Sequence, residues 1–183
     1  SGDIRADAAQ RKAALAFEHL FQQLTTGAPK PKRGLFARKT AVSSAPGLYV
    51  WGDVGRGKSM LMDLFVATVK KHSALAPHIR RVHFHAFMLD VHKRLFAYRT
   101  QARGEVIAEV IRELAGDMRI LCLDELQVTD VADAMILARL FAGLMDAGVT
   151  VLFTSNRPPR ELYQGGLQRE QFIAADRPEL CEE

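Results

Sequence analysis

Residues 52–59 read Gly52-Asp53-Val54-Gly55-Arg56-Gly57-Lys58-Ser59, and this stretch decides the fold. It follows the apolar run Leu48-Tyr49-Val50-Trp51 and precedes a helix-forming stretch that begins at Met60. The spacing G-x-x-x-x-G-K-S between a strand and a helix is that of the phosphate-binding loop. A glycine-rich turn can match this pattern by chance, but the strand–loop–helix context favours a loop that binds a nucleoside triphosphate.

Each residue type in this loop has a physical role. Glycine at positions 52, 55 and 57 lets the backbone take positive φ and approach a polyphosphate closely. The N–H groups of the loop then surround the anion at the positive end of the next helix. We therefore expect residues 52–60 to contact the nucleotide, with Lys58 on the β- and γ-phosphates and the Ser59 hydroxyl on Mg²⁺.

Strand and helix patterns alternate after the loop. The sequence predicts helices at 60–72, 86–100, 105–115 and 132–147, and strands at 80–84, 119–123 and 149–154. The last two strands are almost entirely apolar, which is typical of buried parallel strands. The alternation predicts an α/β fold of the P-loop NTPase type, a parallel sheet sandwiched by helices, with functional loops at the carboxyl ends of its strands.

A leader precedes this core. Residues 8–24 carry apolar side chains at helical spacing, and we expect the helix to pack on the core, with a substrate contact as the alternative. Residues 30–46 are basic; a solvated connector is the favoured interpretation over a segment that binds nucleic acid or a membrane surface. The predicted domains are therefore 1–46, helix and linker, and 47–183, the P-loop core.

Composition narrows the class of protein. The 183 residues suffice for one domain with a sizeable core, and 48% are hydrophobic while 25% are charged. No run of about eighteen apolar residues occurs, so no transmembrane segment is expected. The first residues lack a signal-peptide pattern, and Cys122 and Cys181 form neither a disulfide framework nor a zinc motif, which indicates a reducing, cytosol-like compartment. The net charge of +4 supports nucleic-acid binding only weakly.

Two acids, Asp124 and Glu125, follow the strand at 119–123. After a phosphate-binding loop this is the expected partner motif. Asp124 would hold Mg²⁺, directly or through water, and Glu125 would orient and deprotonate the attacking water. The alternative is a helix N-cap or a solvated turn, and the presence of the phosphate loop makes the catalytic interpretation the stronger one.

Two further polar residues are candidates. Asn156 follows the strand at 149–154, where its amide can hydrogen-bond the γ-phosphate or the lytic water, although Asn is also a common turn residue. Arg169 can act as an arginine finger in a neighbouring subunit, or it can be an ordinary surface arginine.

Three histidines, His83, His85 and His92, lie close together in sequence. A zinc site is weakly supported because no cysteine or nearby acid completes a ligand set. A contact from His85, at the end of its predicted strand, to Glu125 would allow it to gate that residue. The equally weighted alternative is that two histidines simply share one face of a strand.

Together these residues resemble the ZapE family of AAA+-type ATPases, which includes the mitochondrial lactation-elevated proteins. The resemblance rests on residues 47–63, 83–92, 123–137, 154–159 and 162–172, and it covers most of the chain from 7 to 172. It implies ATP hydrolysis with Asp124 on Mg²⁺, Glu125 as base, Asn156 as sensor and Arg169 as a finger that acts in trans within a homo-oligomer.

The resemblance also implies a cellular role. The family is linked to the tubulin-like division protein FtsZ in bacteria and to turnover of respiratory-chain subunits in mitochondria. A protein partner such as an FtsZ-like protein is therefore expected, with nucleic acid not expected. The location would be the bacterial cytoplasm, including its membrane or division site, or the mitochondrion of a eukaryote. Family members continue into a fifth core strand and a helical lid, and we expect both to be missing here.

Two other functions stay open. One is an adaptor whose partner-binding surface is switched by ATP with little turnover. The other is a DNA-remodelling ATPase of the replication-initiator type, which the basic linker suggests.

Overall fold

The computed structural model describes residues 8–26, 47–99, 105–161 and 179–181. The helices are α1 (Ala8–Thr26), α2 (Lys58–Lys71), α3 (Phe84–Arg99), α4 (Val106–Asp117) and α5 (Val131–Asp146), with 3-10 turns at Ala76–His78 and Pro159–Glu161. The strands are β1 (Leu48–Trp51), β2 (Ile79–His83), β3 (Ile120–Asp124), β4 (Thr150–Ser155) and β5 (Glu179–Cys181).

These strands form one parallel sheet in the order β2-β3-β4-β1-β5. Strand β4 therefore lies between β1, which leads into the phosphate-binding loop, and β3, which ends at Asp124. Because parallel strands end at the same edge of a sheet, the segments after β1, β3 and β4 meet there. Strand β4, which Asn156 follows, pairs directly with the acid-bearing strand β3.

Helices cover both faces of the sheet, as the α/β prediction requires. Alternate side chains of β3 point to opposite faces, since Ile120 and Cys122 pack with α1 and α2 whereas Leu121 and Leu123 pack with α3, α4 and α5. All residues of β3 and β4 are buried, which agrees with the apolar runs that predicted them. Among the described helices, none is long and apolar enough to cross a bilayer.

Helix α1 packs on the same face as α2. Its buried residues Ala13, Phe17 and Leu20 belong to the core cluster that includes β1, and the Phe17 and Phe65 rings lie 5.3 Å apart. The segment 30–46, assigned to a basic linker, lies outside the described residues, so the division at 46/47 stays a prediction.

The predicted strand at 80–84 ends one residue early. Phe84 begins α3, so His85 lies in the first turn of a helix and does not share a strand face with His83. The alternation of Val82 and Phe84 suggested a strand, but Phe84 also begins a helical repeat with the buried residues Phe87, Met88 and Val91.

The expectation of a missing fifth strand was wrong. Residues Glu179–Cys181 form β5, which pairs in parallel with the outer edge of β1, with Leu48 opposite Glu179 and Val50 opposite Cys181. A strand of three residues is too short to carry a periodic pattern. Its place is set by backbone pairing with β1 and not by side-chain alternation.

Candidate nucleotide-binding site

The loop after β1 has glycine at three positions of positive φ, the first of them Gly52 at +152°. Gly55 and Gly57 both have φ of +85°, and Gly57 is the left-handed N-cap of α2. A Cβ at Gly55 would meet nothing within 4 Å, and one at Gly57 would come no closer than 3.5 Å to Gln10. The requirement for glycine is therefore conformational, since other residues avoid this backbone region.

Lys58 and Ser59 begin α2. The Lys58 side chain is buried, and its Nζ donates to the carbonyl oxygens of Gly52 and Asp53 at 2.6 and 2.7 Å. These carbonyls hold the ammonium inside the loop rather than in solvent. Ser59 is exposed, one residue further along the helix.

A cleft of about 370 Å³ opens above this loop. It is lined by residues 54–59 together with Glu125, Thr154, Ser155 and Asn156. The structure thus brings Lys58, Ser59, Glu125 and Asn156 to one cleft. Gly52 and Asp53 lie at the base of the loop, in contact with Lys58, and Met60 is exposed on α2. Arg169 lies outside the described residues.

Glu125 has an unusual backbone for a residue that is not glycine, with φ of +59°. Its N–H donates to Thr154 Oγ1 at 3.1 Å, and the next N–H, of Leu126, donates to the Thr154 carbonyl at 2.7 Å. Ser155 Oγ in turn donates to the Leu126 carbonyl at 2.8 Å. The end of β4 thereby fixes the turn after β3 and holds Glu125 in a conformation that ordinarily costs about 1–2 kcal/mol.

Asp124 is held by an arginine that the sequence analysis did not single out. Its side chain is 8% exposed and accepts from Arg81 Nε at 2.7 Å and Arg81 Nη2 at 3.4 Å. Thr154 Oγ1 also approaches the carboxylate, at 3.4 Å. Arg81 bridges further to Asp63 on α2. Burial lowers the pKa of Arg81, but its hydrogen bonds to Asp124 and Asp63 outweigh burial and raise the pKa.

A larger cavity of about 650 Å³ adjoins the cleft, and Glu125, Ser155 and Asn156 line both spaces. The cavity is also lined by Asp124, His83 and His85. His85 and Glu125 therefore face the same cavity, and a direct contact between them stays a prediction.

His92 contacts an acid on another helix. Its Nε2 lies 2.7 Å from Asp133 Oδ1, and this contact joins α3 to α5. Within the described part of the chain, no three His, Cys, Asp or Glu side chains come together to hold a metal ion.

Sequence reasoning missed Arg81, Thr154 and Asp63, and a signal for the first two existed. Pairing of β2 with β3 puts Arg81 opposite Cys122, two residues before Asp124 and therefore on the same face. Thr154 is a buried polar residue directly after the apolar run 151–153, and buried polar residues usually have a hydrogen-bond partner.

Comparison with known proteins identifies the family. A sequence model of the AFG1-like ATPase family matches residues 1–177. The chain belongs to this family. It is 39% identical over 95% of its length to the cell division protein ZapE of Escherichia coli strain K12, of which it spans 48%. It is 46% identical over 69% of its length to lactation elevated protein 1 homolog B of Danio rerio, of which it spans 26%.

Membership of the AFG1-like ATPase family confirms the resemblance that the sequence motifs indicated. The chain covers less than half of each of these two relatives.

Two solved structures have the same fold as this family member. DnaI superposes with a TM-score of 0.57 at 16% identity, over 95% of this chain and 79% of that one. The AMPPCP-bound DnaA of Aquifex aeolicus superposes with a TM-score of 0.56 at 16% identity, over 92% of this chain and 45% of that one. The α/β prediction with a P-loop ATPase sheet is therefore confirmed.

Proposed function

We propose that this chain hydrolyses ATP in the cleft between the phosphate-binding loop and the ends of β3 and β4, and that hydrolysis is Mg²⁺-dependent. One observation carries the proposal: Lys58, Ser59, Glu125 and Asn156, which come from three separate segments, line the same cleft. The family supports it, as does the nucleotide analogue in the related fold of DnaA.

The chain's own residues divide the work. The loop N–H groups and Lys58 bind the β- and γ-phosphates, for which Lys58 exchanges its carbonyl partners for phosphate oxygens. Glu125 orients a water and accepts its proton, and Asn156 donates a hydrogen bond to the γ-phosphate or orients the same water. The water oxygen then bonds to the γ-phosphorus while the bond from that phosphorus to the oxygen bridging the β-phosphate breaks, which leaves ADP and inorganic phosphate.

The available donors fit Mg²⁺, because the Ser59 hydroxyl and the Asp124 carboxylate are the oxygen ligands that this hard cation prefers. When bound there, the ion supplies neutralisation of the charge on the phosphate oxygens. Asp124 would hold it directly or through water.

The first test is nucleotide binding by Lys58→Ala. We expect loss of tight ATP binding in calorimetry, whereas Lys70→Ala, an exposed lysine near the other end of the same helix, should bind like the wild type. Unchanged affinity in Lys58→Ala would remove the phosphate-loop assignment.

Glu125→Gln tests the chemical step separately from binding. This variant should bind ATP and fail to hydrolyse it, because the amide cannot accept the proton. Full turnover in a phosphate-release assay would remove Glu125 from its catalytic role.

We further propose that the active unit is a homo-oligomer in which Arg169 acts across the interface. The ATPase rate per chain should then rise with protein concentration in the wild type and stay low in Arg169→Ala. Equal, concentration-independent rates would place the complete site within one chain. If both proteins bind ATP and neither hydrolyses it, the nucleotide-gated adaptor becomes the better description.

The physiological role we propose is action on a protein partner in cell division, which the name of the ZapE relative supports. Co-sedimentation with polymers of an FtsZ-like protein, with and without ATP, tests this role. Absence of the chain from the pellet under both conditions would argue against that partner.

A further inference from the structure

The geometry around Asp124 contains a conflict. The proposed function needs this carboxylate for Mg²⁺, yet its two oxygens accept hydrogen bonds from Arg81, at 2.7 and 3.4 Å. Asp124 is also absent from the described residues that line the cleft with Ser59 and Lys58. A guanidinium and a divalent cation repel each other, so they compete for one carboxylate.

Arg81 has a second carboxylate available. It also contacts Asp63, which lies four residues after Ser59 on α2 and therefore on the same face, one turn further along the helix. Arg81 thus lies between the acid proposed for the metal and the helix that carries the other proposed ligand.

The two carboxylates differ in their need for the arginine. The Asp124 side chain is 8% exposed, whereas that of Asp63 is 65% exposed. A buried carboxylate without a counter-charge is strongly disfavoured, whereas water solvates an exposed one at little cost. Without a metal ion, Arg81 must therefore stay on Asp124; with a cation beside Asp124, Asp63 can hold the arginine alone.

We propose that Arg81 is a positioning residue that moves between these two acids and thereby sets the affinity of the site for Mg²⁺. It neutralises Asp124 in the absence of metal and nucleotide, and its guanidinium shifts to Asp63 when they bind. The proposal deepens the proposed function and rests on it, because it assumes that Asp124 serves the metal.

The proposal predicts that substitutions of Arg81 and of Asp63 change the metal affinity in opposite directions. Arg81→Gln removes the competitor of the cation and should tighten metal binding by about tenfold, since hydrogen bonds to charged groups are among the stronger ones. Asp63→Asn removes the alternative acceptor, keeps Arg81 on Asp124, and should weaken metal binding by about threefold, the scale of an exposed ion pair.

The experiment is a Mn²⁺ titration followed by electron paramagnetic resonance, with the wild-type chain saturated with a non-hydrolysable ATP analogue. Mn²⁺ replaces Mg²⁺ as the probe, and the signal reports binding without turnover. The double variant Arg81→Gln/Asp63→Asn should match Arg81→Gln, because Asp63 acts only through Arg81. Arg80→Gln is the matched control, since the neighbouring arginine contacts Asp90 on the opposite face, and its Mn²⁺ affinity should equal that of the wild type.

Several results would overturn the proposal. These are weaker binding in Arg81→Gln, shifts of the same sign in both single variants, or an unchanged affinity in Asp63→Asn. If Arg81→Gln does not fold, the exposed substitution Asp63→Asn still decides the question. A wild-type chain that binds the nucleotide analogue but no Mn²⁺ would instead refute the metal site of the proposed function.

Discussion

Two ionic clusters begin at neighbouring residues of β2 and differ in what surrounds them. Arg80 contacts Asp90 at 2.8 Å on the face covered by α3 and α4, and Arg81 contacts Asp124 at 2.7 Å on the face covered by α2. The Asp90 side chain is 29% exposed, against 8% for Asp124. The two arginines are adjacent in sequence, yet one holds a partly solvated acid and the other a buried one.

The partners of the two clusters extend this difference. In the outer cluster, which is the one around Arg80, Asp90 also accepts from Arg94, and Arg94 pairs with Glu113. This surface network joins β2 to α3 and α4. In the inner cluster, which is the one around Arg81, both Arg81 and Thr154 contact Asp124 at the proposed site. We infer that solvent can replace a lost partner in the outer cluster and cannot do so in the inner one.

Alanine substitution of each arginine tests directly whether burial separates the two clusters. Arg81→Ala should lower the free energy of unfolding by about 2–4 kcal/mol, because it leaves the buried Asp124 carboxylate without its cation. Arg80→Ala should lower it by less than about 1 kcal/mol, as expected for a partly exposed pair. Urea unfolding of both variants measures the difference, and equal losses would show that burial does not separate the clusters.

Thr154→Val tests the inner cluster through a neutral group. The substitution removes the acceptor of the Glu125 N–H and the hydroxyl near Asp124, and should cost about 1–2 kcal/mol because the N–H loses its partner. Thr154→Ser keeps the hydroxyl and serves as the control. A valine variant as stable as the serine variant in thermal unfolding would contradict the role given to this hydrogen bond.

Much of this arrangement could be predicted from the sequence, and what was missed has a physical reason. The bounds of β1, the glycine-rich loop and the two acids at the end of β3 carry strong local signals. Arg81 and Asp63 are ordinary charged residues whose meeting depends on how β2 and α2 pack, which no local pattern encodes. Strand β5 has only three residues, which are too few to show a periodic pattern. The start of α3 at Phe84 was missed because Val82 and Phe84 alternate with polar residues, as in a strand.

The backbone of Glu125 gives a smaller effect. Glu125→Gly relieves the positive φ and should be more stable than Glu125→Ala by about 1 kcal/mol, because glycine adopts this region without strain. Both variants lack the carboxylate and should lose ATP hydrolysis. The difference between their melting temperatures therefore reports the cost of the positive φ at this position. An alanine variant at least as stable as the glycine variant would show that the positive φ carries no cost.

The smallest effect is expected in the outer cluster, through pH. Burial raises the pKa of Asp90, but hydrogen bonds from Arg80 and Arg94 outweigh burial and hold the pKa below its ordinary value of 3.8. The folded state therefore gains stability above that value and loses it as the pH falls through the lowered pKa.

Asp90→Asn should accordingly flatten the acid dependence of stability, by less than about 1 kcal/mol for a pair this exposed. Asp146→Asn, at an exposed acid at the end of α5, provides the matched loss of charge. Identical acid unfolding profiles for the two variants would remove Asp90 from this role.

The position of β5 has a consequence for handling the protein. Three residues pair with the outer edge of β1, the strand that leads directly into the phosphate-binding loop. Proteolysis or truncation before Glu179 would leave the backbone groups at this edge of β1 open to strands from other molecules. Such a shortened chain should aggregate through the strand that precedes its proposed nucleotide site, and loss of nucleotide binding would then accompany loss of solubility.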